Sequence, residues 1–215
     1  MTDHRPYRDK IVPVISDFVI RVKSLKRHFA NAPVDVTYNL FRTFCMPLYS
    51  STIWDLSHPS VNEFYTTWRK CIRSLFHLPF RTHSRLLPGL CCDIPIHAQM
   101  LLRFFKFFHS IQCSSNSISY LCSQLALNGS RSSVSNNVLA LSAILNCNNF
   151  SLCSIPFDEI RERLTNFSAP DCDPVLGSLI RDLINIRNET VLFGVNHINC
   201  SLDHVNSAIN TLCTE

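Results

Sequence analysis

The period of the apolar residues between positions 60 and 75 constrains the fold more than any other feature of the chain. Apolar side chains recur there in steps of three and four residues, namely Val61, Phe64, Tyr65, Trp68, Cys71, Ile72 and Leu75. This period places all of them on one face of an α-helix. Ser60 and Glu63 stand at capping-box spacing, and Pro79 disfavours helical geometry before it. The sequence therefore predicts a helix that begins at Ser60 and stops before Pro79.

The opposite face of this helix is cationic, and a short basic loop between two prolines follows it. No acidic residue occurs between Glu63 and Asp93, so the cations lack the i, i+4 partners of a neutral helix face. A polyanion is the simplest partner for such a stripe. The cations of the helix and of the loop are Arg69, Lys70, Arg73, Arg81 and Arg85, with His77 and His83 beside them.

Glycine content and hydrophobicity favour an all-α fold. Four glycines among 215 residues, with 46% hydrophobic residues, are typical of a packed, helix-rich chain. We predict an irregular bundle of about seven to eight helices with no substantial sheet, since the segment 191–193 is too short to seed one. Further predicted helices include residues 14–29, a second from Val36 to a stop near Met46, and one capped by Asp93. Another carries the apolar stripe Ile118, Leu121, Cys122 and Leu125 and ends at Asn128-Gly129.

Charge divides the chain into two halves. Residues 1–110 hold 15 Lys and Arg against 7 Asp and Glu, whereas residues 111–215 hold 5 against 9, giving +8 and −4. We therefore predict a basic helical region over residues 1–112 and an acidic C-terminal helical extension over residues 113–215.

The eleven cysteines are scattered and odd in number, which does not fit a disulfide framework. Several lie on apolar helical faces, as Cys71 and Cys122 do, so we expect reduced, buried thiols. The first residues are charged and polar, and no apolar run reaches the roughly 18 residues of a membrane span. These features predict an intracellular protein, nuclear or cytoplasmic, without a membrane partner.

A second mixture of cations and aromatic residues occurs at 101–108. Arg103 and Lys106 are predicted to face outward, flanked by Phe104 and Phe107. Such a surface can stack on bases, with each stack contributing about 1–3 kcal/mol. The alternative interpretation is a helix that is buried on two sides.

Motifs for catalysis are missing from the sequence. It contains no Gly-rich phosphate loop, no Gly-x-Ser-x-Gly and no Asp-Asp pair, so we predict no catalytic residue, cofactor or metal. The nearest metal-like group is His197, Cys200 and His204, whose residue types suit zinc but whose spacing matches no familiar site. The sequence leaves open whether these three residues bind a metal.

Several stretches, read together, carry a family resemblance. They include Asn-Leu-Phe-Arg-Thr-Phe-Cys-Met-Pro-Leu-Tyr at 39–49, Trp-Arg-Lys-Cys-Ile-Arg at 68–73 and Arg-Phe-Phe-Lys-Phe-Phe at 103–108. Shorter matches lie at 54–56, 64–65, 78–79, 81–83, 86–88, 93–96 and 212–214. In these stretches the chain resembles reverse transcriptases of non-LTR (LINE-type, jockey-like) retrotransposons, in the part downstream of the catalytic palm. The resemblance covers roughly residues 15–215 and is most specific within 39–108.

The resemblance implies a thumb-like helical region with a C-terminal extension, which grips template RNA or target DNA while a palm does the chemistry. The Tyr/Phe-x-Asp-Asp box of the palm is missing here, so the predicted function is non-catalytic nucleic-acid binding. The partners are then an RNA or DNA backbone and the palm of a full-length reverse transcriptase. The alternative is a helical protein-interaction piece or an inert remnant of a truncated element. The predicted phosphate contacts are Arg69, Lys70, Arg73, Arg81, His83, Arg85, Arg103 and Lys106, with His77 assisting.

Overall fold

A computed structural model describes residues 5–48, 50–168, 174–193 and 202–214 of the chain. These residues form ten α-helices and no strand, which confirms the all-α prediction and exceeds the predicted number of helices. The helices are α1 (Arg5–His28), α2 (Val34–Leu40), α3 (Pro59–Leu75), α4 (Leu86–Cys91), α5 (Ile96–Gln112), α6 (Ser117–Leu127), α7 (Ser133–Leu145), α8 (Phe157–Ser168), α9 (Pro174–Phe193) and α10 (Leu202–Thr214). None of them is long and apolar enough to cross a membrane.

The contacts divide the chain into two compact units. The first comprises Met1–Leu48, Phe64–Asp93 and Asp171–Glu215, and the second comprises Tyr49–Glu63 and Ile94–Pro170. The predicted regions 1–112 and 113–215 are defined by charge, and they do not coincide with these units, since α9 of the predicted acidic extension packs against α4 of the predicted basic region.

The core of the first unit is aromatic. Phe18 of α1 contacts Phe41 and Phe64 edge-on, with ring centroids 5.9 and 5.4 Å apart. Trp68 adds a further edge contact to Phe41 at 6.4 Å. The predicted apolar stripe of α3 is buried throughout, which confirms it as the core face of this helix.

The ends of α3 differ from the prediction. The helix begins at Pro59, a position where a proline loses no helical hydrogen bond, and His58 Nδ1 accepts from the Ser60 amide at 3.2 Å. Ser60 therefore lies inside the helix and the predicted capping box is wrong. The helix ends at Leu75, where His77 adopts left-handed backbone (φ 52°) and the Leu78 amide donates to Arg73 O at 2.8 Å. The stop precedes Pro79 and is made by this turn.

Two other predicted boundaries need correction. The helix expected from residue 14 begins at Arg5 and contains Pro13. Asp93 does not cap α5, which begins at Ile96 after Pro95. Instead, the Asp93 carboxylate accepts from the Tyr38 hydroxyl at 3.0 Å and lies 3.7 Å from Arg42 Nε. The predicted stop near Met46 is confirmed, because α2 continues into a single π-helical turn, Phe41–Cys45, and ends there.

The second unit has its core between α5, α7 and α8. Phe104, Phe105 and Phe108 of α5 are buried, together with Leu141 of α7 and Ile160 of α8. By contrast, the predicted apolar stripe of α6 is exposed, because α6 buries Ser123, Ala126 and Leu127 instead. The predicted stop after α6 is confirmed by Gly129, whose φ is 76°.

Asn137 holds the segment 54–56 against α7 within the second unit. Its side chain is fully buried, donates to Trp54 O at 2.6 Å and accepts from the Leu56 amide at 2.8 Å.

We expect Asn137→Ala to lower the free energy of unfolding by about 2–4 kcal/mol, because two backbone groups lose their partner. Urea denaturation followed by circular dichroism measures the change. Asn136→Ala is the control, since Asn136 is exposed and donates only to Asp55. Equal losses in both variants would contradict the role of Asn137.

Eight cysteines are free thiols, namely Cys45, Cys71, Cys91, Cys92, Cys113, Cys122, Cys147 and Cys213. The thiols of Cys45, Cys71, Cys91 and Cys213 are buried, and burial raises the pKa of Cys45 and of Cys71 to about 11. These thiols behave as the small apolar side chains that the sequence predicts. Cys92, Cys113 and Cys122 are exposed, so the prediction of buried thiols is wrong for these three residues.

Candidate nucleic-acid interface

In the first unit, the cationic face of α3 continues onto α1. Lys26 Nζ donates to Ser74 Oγ at 3.1 Å, which places the last turns of the two helices side by side. Lys23, one turn earlier on α1, is near enough to Cys71 that its charge opposes the rise in the pKa of that thiol. Two lysines of α1 therefore lie next to the cations of α3.

The basic loop after α3 is held in place by hydrogen bonds. Arg73 Nε donates to Thr82 O at 2.9 Å, and its Nη2 donates to Ser84 Oγ at 3.0 Å. The buried Thr82 hydroxyl donates to Pro79 O at 2.7 Å, and the His83 amide donates to Cys213 O of α10 at 3.2 Å. The loop is thus tied both to α3 and to α10.

Arg73 has a different role from the other predicted phosphate contacts. Its guanidinium is half-buried, and burial, with the nearby charge of Arg69, lowers the pKa of Arg73 below its ordinary value. Two of its N–H groups serve the loop. Arg73 is therefore first of all the residue that positions the loop beside α3.

The other predicted cations of the first unit are accessible. Lys70, Arg81, His83 and Arg85 are exposed, and Arg69 is half-buried. Within the described residues, the ion pairs involve other arginines, so no carboxylate neutralises these side chains. We call the whole group the cationic patch, and it consists of Lys23, Lys26, Arg69, Lys70, Arg73, Arg81, His83 and Arg85.

His77 does not add charge to this patch at neutral pH. Burial lowers the pKa of His77 below its ordinary value, and the positive charges of Lys26 and Arg187 lower it further. Arg187 lies close because its Nη2 donates to Phe76 O at 2.9 Å, at the end of α3. The predicted assisting role of His77 is therefore limited to that of a neutral imidazole.

Arg103 and Lys106 belong to α5 in the second unit. Arg103 is half-buried and Lys106 is exposed, with its Nζ 4.4 Å from the centre of the Phe157 ring. Phe104 is fully buried and stacks on Phe108, so it cannot face a nucleobase. Of the two interpretations of residues 101–108, the helix buried on two sides is the one that fits Phe104.

Sequence reasoning left Lys23 and Lys26 out of the predicted interface. The signal available was the set of cations at the C-terminal end of α1, but nothing in their spacing indicates that α1 lies beside α3. That information is in the Lys26–Ser74 contact, which joins residues 48 positions apart.

No group of three or more His, Cys, Asp and Glu side chains in the described part of the chain is placed to hold a metal. His204 lies in α10, whereas His197 and Cys200 fall outside the described residues. Comparison of the chain with protein-family models, with curated proteins and with solved structures finds no match.

Proposed function

We propose that this chain is a non-catalytic nucleic-acid-binding module, which grips the phosphates of RNA or DNA through the cationic patch of its first unit. The observation that carries the proposal is the set of cations on α1, α3 and the basic loop that no carboxylate of the described residues neutralises. Such a surface attracts a polyanion and releases its condensed counterions on binding.

The resemblance to the post-palm region of non-LTR retrotransposon reverse transcriptases gives this binding a biological setting. In that setting the chain contributes the thumb and the C-terminal extension, and a separate palm does the chemistry. Template RNA and target DNA are then the two natural ligands. Sequence selectivity should be low, because phosphate contacts fix position along the strand without reading the bases.

Salt dependence tests the proposal directly. If about six phosphates are engaged, affinity for duplex DNA should fall roughly a thousandfold between 50 and 200 mM salt, because each neutralised phosphate adds about 0.9 to the logarithmic slope. Fluorescence anisotropy with labelled RNA and DNA oligonucleotides measures the slope. Absence of binding at 50 mM salt, or an affinity that salt does not change, would contradict the proposal.

A second candidate function, protein interaction, is favoured by the exposed stripe of α6. Ile118, Leu121 and Leu125 are 72, 60 and 59% exposed on a helix that contains no charged residue. Apolar surface of this kind marks contact sites between proteins. On this hypothesis the stripe is a surface that the reverse-transcriptase palm covers. Aggregation of the chain alone, relieved by a palm fragment, would support it. A chain that is monomeric on its own and does not bind the palm fragment would contradict this hypothesis.

A further inference from the structure

A cleft of about 400 Å³ opens in the second unit between α5 and the start of α8. Its α5 wall is formed by Phe105, Lys106 and His109, and its other wall runs from Ser154 through Pro156 to Phe157. The volume lies within the range of roughly 300–1,000 Å³ that is typical of small-molecule sites. Lys106, one of the cations that the sequence singles out, lines this cleft.

One wall of the cleft supplies planar apolar surface. The rings of Phe105 and Phe157 are nearly parallel, with 22° between their planes and 6.4 Å between their centroids. Phe105 is buried, so it supports Phe157, whereas Phe157 is half-buried and faces the cleft beside Pro156. A flat heteroaromatic ring can lie against such a surface.

Two basic side chains lie on the same side of α5, three residues apart. Lys106 Nζ lies over the Phe157 ring, 4.4 Å from its centre, so this flexible side chain must turn aside when a base packs on that ring, and the His109 ring lies 6.0 Å from that of Phe105. Both line the cleft, and both can donate to an anion. The acidic residues Asp158 and Glu159 follow Phe157 but do not line the cleft, and Glu159 is paired with Arg163 at 2.6 Å.

We propose that this cleft binds one nucleoside 5′-phosphate, with its base against Phe157 and Pro156 and its phosphate between Lys106 and His109. The ligand must carry both a flat ring and an anionic group, because the apolar surface and the two donors line the same cleft. The volume exceeds what a simple aromatic acid fills and suits a single nucleotide. The nucleotide is either a free mononucleotide or an unpaired nucleotide of a single strand. This site is separate from the cationic patch, and neither proposal requires the other.

Titration calorimetry of the full chain with AMP and with UMP tests the site. We expect both nucleotides to bind at least tenfold more tightly than adenosine, uridine or inorganic phosphate, since only the nucleotide meets both walls. Lys106→Gln and His109→Gln should each weaken AMP binding about three- to tenfold, and Phe157→Leu should weaken it while keeping an apolar wall. Arg131→Gln, at an exposed position of the second unit that does not line the cleft, is the control and should leave AMP binding unchanged.

Two further measurements complete the test, namely thermal denaturation and the binding of single-stranded and duplex oligonucleotides. Thermal denaturation shows whether the Phe157→Leu variant is folded. If that variant does not fold, Lys106→Gln tests the site independently, because Lys106 is exposed. AMP binding no tighter than that of adenosine and phosphate, or unaffected by Lys106→Gln and His109→Gln, would overturn the proposal. If the double variant Lys106→Gln/His109→Gln also loses affinity for a short single strand but not for a duplex, the nucleotide is strand-borne. Loss of AMP binding alone identifies a free mononucleotide.

Discussion

The double variant Arg81→Gln/Arg85→Gln is expected to bind duplex DNA roughly 60-fold more weakly than the parent chain at 0.1 M salt. Both side chains are exposed and neither has a carboxylate partner within the described residues, so their removal takes charge from the patch without breaking a contact. The magnitude follows from two lost phosphate contacts, each contributing about 0.9 to the slope of log affinity against log salt. The slope itself should therefore become shallower by about 1.8.

Anisotropy titrations over a series of salt concentrations measure both quantities. The matched control is Arg131→Gln/Arg161→Gln, which removes the same net charge from two exposed positions of the second unit. If net charge alone attracted the nucleic acid, the two double variants would weaken binding equally, and the cationic patch would have no special role. Retained affinity in the patch variant would rule out Arg81 and Arg85 as contacts.

The second large effect is expected for Gly177→Ala, which should lower the free energy of unfolding by about 3 kcal/mol. Gly177 lies where α9 crosses α4, and an added Cβ would stand 2.6 Å from Leu90 N and 2.7 Å from two backbone atoms of Gly89. Backbone atoms cannot move aside as a flexible side chain can, so the two helices would have to separate. Because α4 follows the basic loop directly, nucleic-acid binding should weaken together with stability.

Chemical denaturation of the variant gives the size of this effect. Gly129→Ala is the comparison, because its Cβ would meet nothing within 4 Å and only the left-handed backbone (φ 76°) would be strained. That strain should cost about 1 kcal/mol. In an open helix, glycine to alanine stabilises by up to about 1 kcal/mol. A stabilised Gly177→Ala variant would thus show that α4 and α9 are not in close contact.

Periodicity predicts which face of a helix is apolar, and for α3 this is enough to identify the core. Phe64, Trp68 and Ile72 are buried as their spacing indicates. The same reasoning fails for α6, because periodicity does not show whether another part of the same chain covers an apolar face. The stripe of α6 follows the same three- and four-residue steps as that of α3 and remains exposed.

Helix ends were less predictable than helix faces. The left-handed position after α3 is taken by His77, and the corresponding position after α4 by Cys92, although glycine is the usual residue there. Neither a histidine nor a cysteine predicts such a turn in a sequence. Pro79 and Asp93 are stronger local signals for a helix end and a helix cap. However, α3 ends at the His77 turn before Pro79, and the Asp93 carboxylate accepts from Tyr38 instead of capping α5.

The candidate interface could be predicted in part because unpaired charge is visible in a sequence. Lys70, Arg81 and Arg85 stand out by the lack of nearby acidic residues. The positioning role of Arg73 depends on its contacts with Thr82 and Ser84, and the aromatic wall beside Lys106 depends on Phe157, 51 residues away. Spacing along the chain carries no information about either.

The order in which the segments of the two units occur affects how the chain folds as it leaves the ribosome. All residues of the second unit have been synthesised by position 170, whereas the first unit still awaits α9 and α10. At translation rates of roughly 5–20 residues per second, the 45 residues from 171 to 215 take about 2–9 seconds. During that interval the basic loop lacks its contact with Cys213 and α4 lacks its partner helix α9, so the proposed cationic patch should reach its final arrangement last.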